Sequence, residues 1–123
     1  MKSALVLFAH GAREPGWADP FRAVRDRVAA SRSDLTVELA FLELMAPGLE
    51  DCVATLVAGG HERIAVAPLF LAMGGHVMHD LPRLLEAIRE RHRPLEIGLL
   101  PPIGEVPALL DGIAGWLVNA APR

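Results

Sequence analysis

The 123-residue sequence predicts an α/β domain: a four-stranded parallel sheet of order 2-1-3-4 with helices on both faces. Three observations carry that prediction. Apolar runs of strand length alternate with stretches whose apolar residues recur every three or four positions, giving the order β-α-β-α-β-α-β-α. Such alternation implies parallel strands joined by right-handed crossovers. The two most unusual loops, His10-Gly11 and Gly74-Gly75-His76, each follow one of those strands, where a doubly wound sheet binds its ligands.

Ala4–Ala9 is a continuous apolar run, as for a strand buried on both faces, and His10-Gly11 ends it. After the turn Glu14-Pro15-Gly16, the residues Trp17, Phe21, Val24 and Val28 mark a helix. Pro20 fits only its first turn, so the helix starts between Trp17 and Asp19. Leu35–Leu42 is a second strand whose partial alternation suits a sheet edge, and Glu43 comes as it ends. Pro47 suits the first position of a helix with the stripe Leu49, Cys52, Val53, Leu56 and Val57, stopped by Gly59-Gly60. Ile64–Phe70 is the third strand, and Leu81, Leu84, Leu85 and Ile88 line a third helix that ends before Pro94. Leu95–Leu100 is a fourth strand. Beyond Pro101-Pro102, the residues Val106, Leu109, Leu110, Ile113 and Leu117 make a last amphipathic helix, with Trp116 either in the core or at an interface between copies.

Size and composition narrow the function. The chain reads as one domain, 1–123, long enough to bury a core of its own. With 52% apolar and 22% charged residues it is a folded globular chain rather than a disordered one. A net charge of −3 argues against general nucleic-acid binding, because few phosphate counterions would be displaced. The arginine clusters at Arg22, Arg25, Arg27 and at Arg89, Arg91, Arg93 read as solvated helix faces. No run approaches the roughly 18 apolar residues of a membrane span, and no signal peptide is evident. The single cysteine, Cys52, cannot form an internal disulfide, so a cytoplasmic location is expected.

Of the five histidines, His61 and His92 fall at helix carboxyl ends and read as structural. His10 and His76 end the first and third strands, the switch point of a 2-1-3-4 sheet, and are expected to face one cleft. For that pair, metal binding or acid–base work stands level with the plainer reading of hydrogen-bonded surface groups. Glu43 adds a carboxylate on the same rim or serves as a first-turn anion ahead of Pro47. Imidazoles with a carboxylate suit Co²⁺, Fe²⁺ or Ni²⁺ better than Mg²⁺ or Ca²⁺, and two imidazoles leave coordination positions open. A closed zinc site lacks its cysteines. Other chemistries of this scaffold fit less well: Ala9 stands where a phosphohistidine phosphatase needs arginine, His10–Gly16 lacks the hydroxyls of an FMN loop, and no Gly-x-Ser-x-Gly is present.

Taken together, His10-Gly11-Ala12-Arg13-Glu14-Pro15, Phe41-Leu42-Glu43 with Pro47, and Pro68-Leu69-Phe70-Leu71 through Gly74-Gly75-His76-Val77 to Asp80-Leu81-Pro82 resemble the CbiX/SirB family. These are ATP-independent, class II sirohydrochlorin chelatases. The resemblance implies a flavodoxin-like chelatase half-module that inserts Co²⁺, Fe²⁺ or Ni²⁺ into sirohydrochlorin, toward cobalamin or sirohaem, and works as a homodimer in its short form. The divalent metal is then a substrate, and no permanently bound cofactor is expected.

By position, His10 and His76 match the family's metal-site histidines, holding the ion and accepting the two pyrrole protons. An imidazole with an ordinary pKa of about 6.5 is a competent base for that at neutral pH. Glu43 matches a glutamate that supports the metal or relays protons. Arg13 is placed to pair with a peripheral carboxylate of the macrocycle. Met73, Leu71 and Val77, with the Gly74-Gly75 backbone, are expected to offer it an apolar, close-fitting surface. Two departures stand out. Ala12 replaces a common serine, and Met78-His79 replace residues that are often basic, with His79 offering a third imidazole. A non-catalytic metal or tetrapyrrole carrier on the same scaffold is the alternative reading.

Overall fold

Four parallel strands hydrogen-bond in the order β2-β1-β3-β4: β1 (Lys2–Ala9), β2 (Leu35–Phe41), β3 (His61–Pro68) and β4 (Glu96–Leu99). The computed structural model describes all residues, 1–123. The order is the expected one, and β2 lies at an edge as its alternation implied. Register is set by the central strand, where Leu7 pairs with Leu39 on one side and Ala67 on the other.

Successive side chains of a strand point to opposite faces, which divides the core in two. On one face Val6, Phe8, Ile64, Val66 and Ile97 pack against α2 (Leu49–Ala58) and α3 (Gly75–Arg91). On the other, Leu7, Ala9, Val37, Leu39 and Phe41 meet Trp17, Phe21 and Val28. Trp17 lies in a short 3₁₀ turn, Pro15–Ala18, which leads into α1 (Asp19–Ser31) with Pro20 in its first turn, as expected. Full burial of each large apolar side chain contributes about 1.5–3 kcal/mol, so the two-sided strands dominate stability.

Several boundaries depart from the sequence-based expectation, each for a local reason. Pro47 does not open α2. Its carbonyl accepts the Phe41 N–H at 2.9 Å and Gly48 bridges Phe41, so residues 47–48 run extended beside the end of β2 and the helix starts at Leu49. β3 begins earlier than expected, at His61. This histidine is buried in the strand rather than placed at a helix end. Its Nδ1–H donates to the Leu56 carbonyl at 2.9 Å, and Nε2 accepts from the Thr36 hydroxyl at 2.9 Å. His92 does cap α3.

The last helix, α4 (Pro107–Ala120), forms where its stripe predicted, but the stripe is not covered. Leu109, Leu110, Ile113 and Leu117 are exposed, and Trp116 is 69% exposed, which removes the core placement. No helix is long and apolar enough to cross a membrane.

Candidate functional site

His10 follows β1 directly and is joined to the turn after β2 by backbone rungs that continue the sheet ladder. The Leu42 N–H donates to the Ala9 carbonyl, and the Glu43 N–H to the His10 carbonyl at 3.1 Å. Gly11 makes this approach possible. It adopts φ +92°, and a Cβ there would stand 1.9 Å from the Glu43 carbonyl oxygen. Leu44, at φ +66°, turns the chain away immediately afterwards. A non-glycine residue held at positive φ marks a constrained loop.

The result is a side-chain pair: His10 Nε2 lies 2.9 Å from Glu43 Oε1. The carboxylate only accepts, so it places the imidazole proton on Nε2 and leaves the Nδ1 lone pair free. Phe70 meets the His10 ring edge-on at 6.2 Å between centroids and is itself seated on Phe8 at 5.9 Å. The imidazole is thus oriented from two directions while both members of the pair stay half-exposed. An exposed pair of this kind adds little stability, at most about 1 kcal/mol. Its value is orientation.

A cavity of about 230 Å³ opens beside His10, lined also by Phe70, Ala72, Met73, Gly74 and Val77. Met73, Gly74 and Val77 are thus brought together beside His10. Leu71 does not line it and is exposed.

His76 takes a different position from the expected one. It lies in the first turn of α3, with its side chain 94% exposed and Nε2 3.2 Å from Asp80 Oδ2, one helical turn on. The neighbours of His76 line the His10 cavity, but its own imidazole does not. Gly74 precedes the helix in an extended conformation, and a Cβ at Gly74 or Gly75 would meet no atom within 4 Å. No three of the His, Cys, Asp and Glu side chains converge as a metal-holding group. Arg13 and His79 are exposed on the same rim.

Asp80 and Phe70 are contributors that sequence reasoning did not single out. The i,i+4 spacing of His76 and Asp80 was the available signal for the first. Cys52 is remote from this chemistry: it is buried on α2, and burial, then the Glu38 charge, pushes its thiol up to about 11.

Comparison with known proteins fits this geometry. The family model CbiX matches residues 4–116. The chain belongs to the CbiX family. A sirohydrochlorin cobaltochelatase of Saccharolobus solfataricus is 34% identical over 106 residues, covering 81% of both chains. One from Methanosarcina acetivorans is 32% identical over 84 residues, 68% of this chain and 65% of its own. Among solved structures, a cobalamin-biosynthesis CbiX protein from Marinobacter aquaeolei superposes with a TM-score of 0.83 at 30% identity, covering 96% of each chain. The sirohydrochlorin chelatase SirB from Bacillus subtilis, in complex with cobalt, gives 0.80 at 28% identity over 97% of this chain and 51% of SirB. One CbiX module here thus corresponds to about half of that longer chelatase.

Proposed function

We infer that this chain is a sirohydrochlorin chelatase that inserts a divalent metal, Co²⁺ first and Fe²⁺ next, into the tetrapyrrole without ATP. The observation that carries the reading is the oriented His10–Glu43 pair beside the Met73–Val77 cavity, in a chain one-third identical to sirohydrochlorin cobaltochelatases. Metal insertion must remove two protons from pyrrole nitrogens. His10 accepts each in turn at Nδ1 and passes it to water at the open rim, while Glu43, on Nε2–H, stabilises the imidazolium that forms each time. His76, carried on the first turn of α3 behind Gly74, is assigned to the incoming ion, with Asp80 orienting its imidazole. Neutral imidazole is a suitable donor for Co²⁺, Fe²⁺ and Ni²⁺. Arg13 on the same rim supplies a guanidinium for a peripheral carboxylate.

A cavity of 230 Å³ is below the roughly 300–1,000 Å³ of pockets that enclose drug-sized ligands. The larger macrocycle therefore rests across the rim rather than inside it. A second module over the opposite face supplies the missing wall, which supports a homodimer for this one-module chain. The lone buried cysteine supports work in the cytoplasm.

The test is the absorbance change of anaerobic sirohydrochlorin mixed with Co²⁺, Fe²⁺ or Ni²⁺, with and without protein. Acceleration that is lost in His10→Ala and in His76→Ala is expected. Stoichiometric binding without acceleration would instead make the chain a carrier, and wild-type rates in the double alanine variant would remove both histidines from the mechanism.

A further inference from the structure

The opening turns of α3 have a weak point at each end. Pro82 falls well inside Gly75–Arg91. It has no N–H, so the Met78 carbonyl lacks the amide four residues on, and the proline ring crowds that carbonyl. Helices bend at such places. At the other end stand Gly74 and Gly75. No side chain caps the helix there, its first turn holds no acidic residue, and a Cβ on either glycine would meet nothing within 4 Å.

Little holds the stretch between these points. Gly75, His76, Met78, His79 and Asp80 are exposed, and half-buried Val77 packs against neither half of the core. Leu81 is the first residue of α3 to be buried, and from there Leu85 and Ile88 pin the helix to the sheet. The change from free to anchored therefore comes at Leu81-Pro82, where the ladder of the helix is already interrupted.

Open space adjoins the stretch as well. The cavity of about 230 Å³ beside His10 is lined by Gly74 and Val77. A second, of about 380 Å³, separates Met78 and Pro82 from Leu100, Pro101 and Pro102 after β4, and Met73 lines both. Close packing would fix these turns in one place, and it is missing on this side. Yet His76, 94% exposed and 3.2 Å from Asp80, does not line the His10 cavity. An ion held on His76 in this position has still to reach the base.

We propose that Gly74, Gly75 and Pro82 are positioning residues, joints on which Gly75–Asp80 swings as a unit to carry His76 and its ion to the cavity beside His10. Asp80 travels with His76, since both lie on the moving turns, so the imidazole stays oriented throughout. The swing rests on the assignment of His76 to the ion, but not on the insertion step.

Co²⁺ alone, added to the full chain, reads the swing by nuclear magnetic resonance, because its unpaired electrons shift nearby nuclei with a steep dependence on distance. Shifts are expected at Phe70 and His10 as well as at His76, and those at Phe70 and His10 should vanish in His76→Ala. Pro82→Ala restores the missing amide and stiffens the joint. It is expected to melt above wild type and to keep the shift at His76 while losing most of that at Phe70. Its kcat for metallation should fall about tenfold with the KM for sirohydrochlorin unchanged. Pro82→Gly keeps a soft joint without the ring and is expected to restore both signals. Phe70 shifts that are equal in wild type and Pro82→Ala, or that persist in His76→Ala, overturn the swing. A wild-type chain with these shifts that never accelerates metallation overturns the chelatase reading and leaves the swing standing.

Discussion

Gly11→Ala tests how the His10–Glu43 pair is built. The new methyl group would lie 1.9 Å from the Glu43 carbonyl oxygen, against a floor of 3.0 Å for real contacts, so residues 42–44 must retreat by about 1.1 Å. They are anchored by rungs to Ala9 and His10 and turned by Leu44 at positive φ, which leaves little room for that movement. Holding alanine at φ +92° costs about 1–2 kcal/mol, and the forced displacement a further 1–3 kcal/mol. At about 4 °C per kcal/mol for a domain of this size, the melting temperature is expected to fall by roughly 8–20 °C. Metallation of sirohydrochlorin should fall with it, since the carboxylate leaves the imidazole. Gly75→Ala is the control: it lies inside α3 and nothing stands within 4 Å of a Cβ there, so its melting temperature should match or slightly exceed wild type. A Gly11→Ala protein that melts within 2 °C of wild type and metallates at the wild-type rate would refute the close approach and the orienting role drawn from it.

Three other perturbations have defined outcomes. Glu43→Gln removes the charge that stabilises the imidazolium at His10; a loss of about 10–100-fold in metallation rate is expected, with the melting temperature nearly unchanged. Thr36→Val leaves Nε2 of buried His61 without its donor and should destabilise the fold by about 1–3 kcal/mol in urea, with no change in metal preference. The Cys52 thiol, raised in the fold to about 11 from an ordinary 9.0, favours the native state fully below pH 9 and loses that contribution as the pH rises toward 11. Denaturation midpoints should therefore fall over that window in wild type but not in Cys52→Ala, and a thiol reagent should label Cys52 only after unfolding.

The parts of the fold visible in the sequence are those fixed by repeating apolar patterns. Strand order follows from the β-α alternation, from the doubly-buried run at Ala4–Ala9 and from the half-alternating edge at β2. Boundaries were less visible because they depend on backbone partners distant in sequence. Pro47 looks like a helix opener until Phe41 takes its carbonyl, and His61 looks like a helix cap until Thr36 and Leu56 enclose it. The site divides the same way. His10 and Glu43 lie 33 residues apart, and their rim positions were legible from the strand ends. The rung that joins them and the glycine that permits it were not. His76 follows β3, but the ion pair that turns it toward Asp80 depends on α3 starting at Gly75, six residues before the apolar stripe that announced the helix. The uncovered stripe of α4 was read as amphipathic from its spacing, which cannot tell a buried face from a bare one.

The single sulfhydryl has a bearing on how ions pass through this molecule. Cobalt, nickel and ferrous iron all take thiolate strongly, and a thiolate near the rim would hold them against transfer. Here the only sulfur nucleophile is on α2, shielded from water and protonated across the physiological range. The surface thus offers incoming ions no thiolate, only nitrogen, oxygen and the neutral thioethers of Met1, Met73 and Met78, which exchange quickly. A macrocycle with four converging nitrogens then competes against weak holders rather than a sink, so the protein hands over its cargo without having to break a metal–thiolate bond.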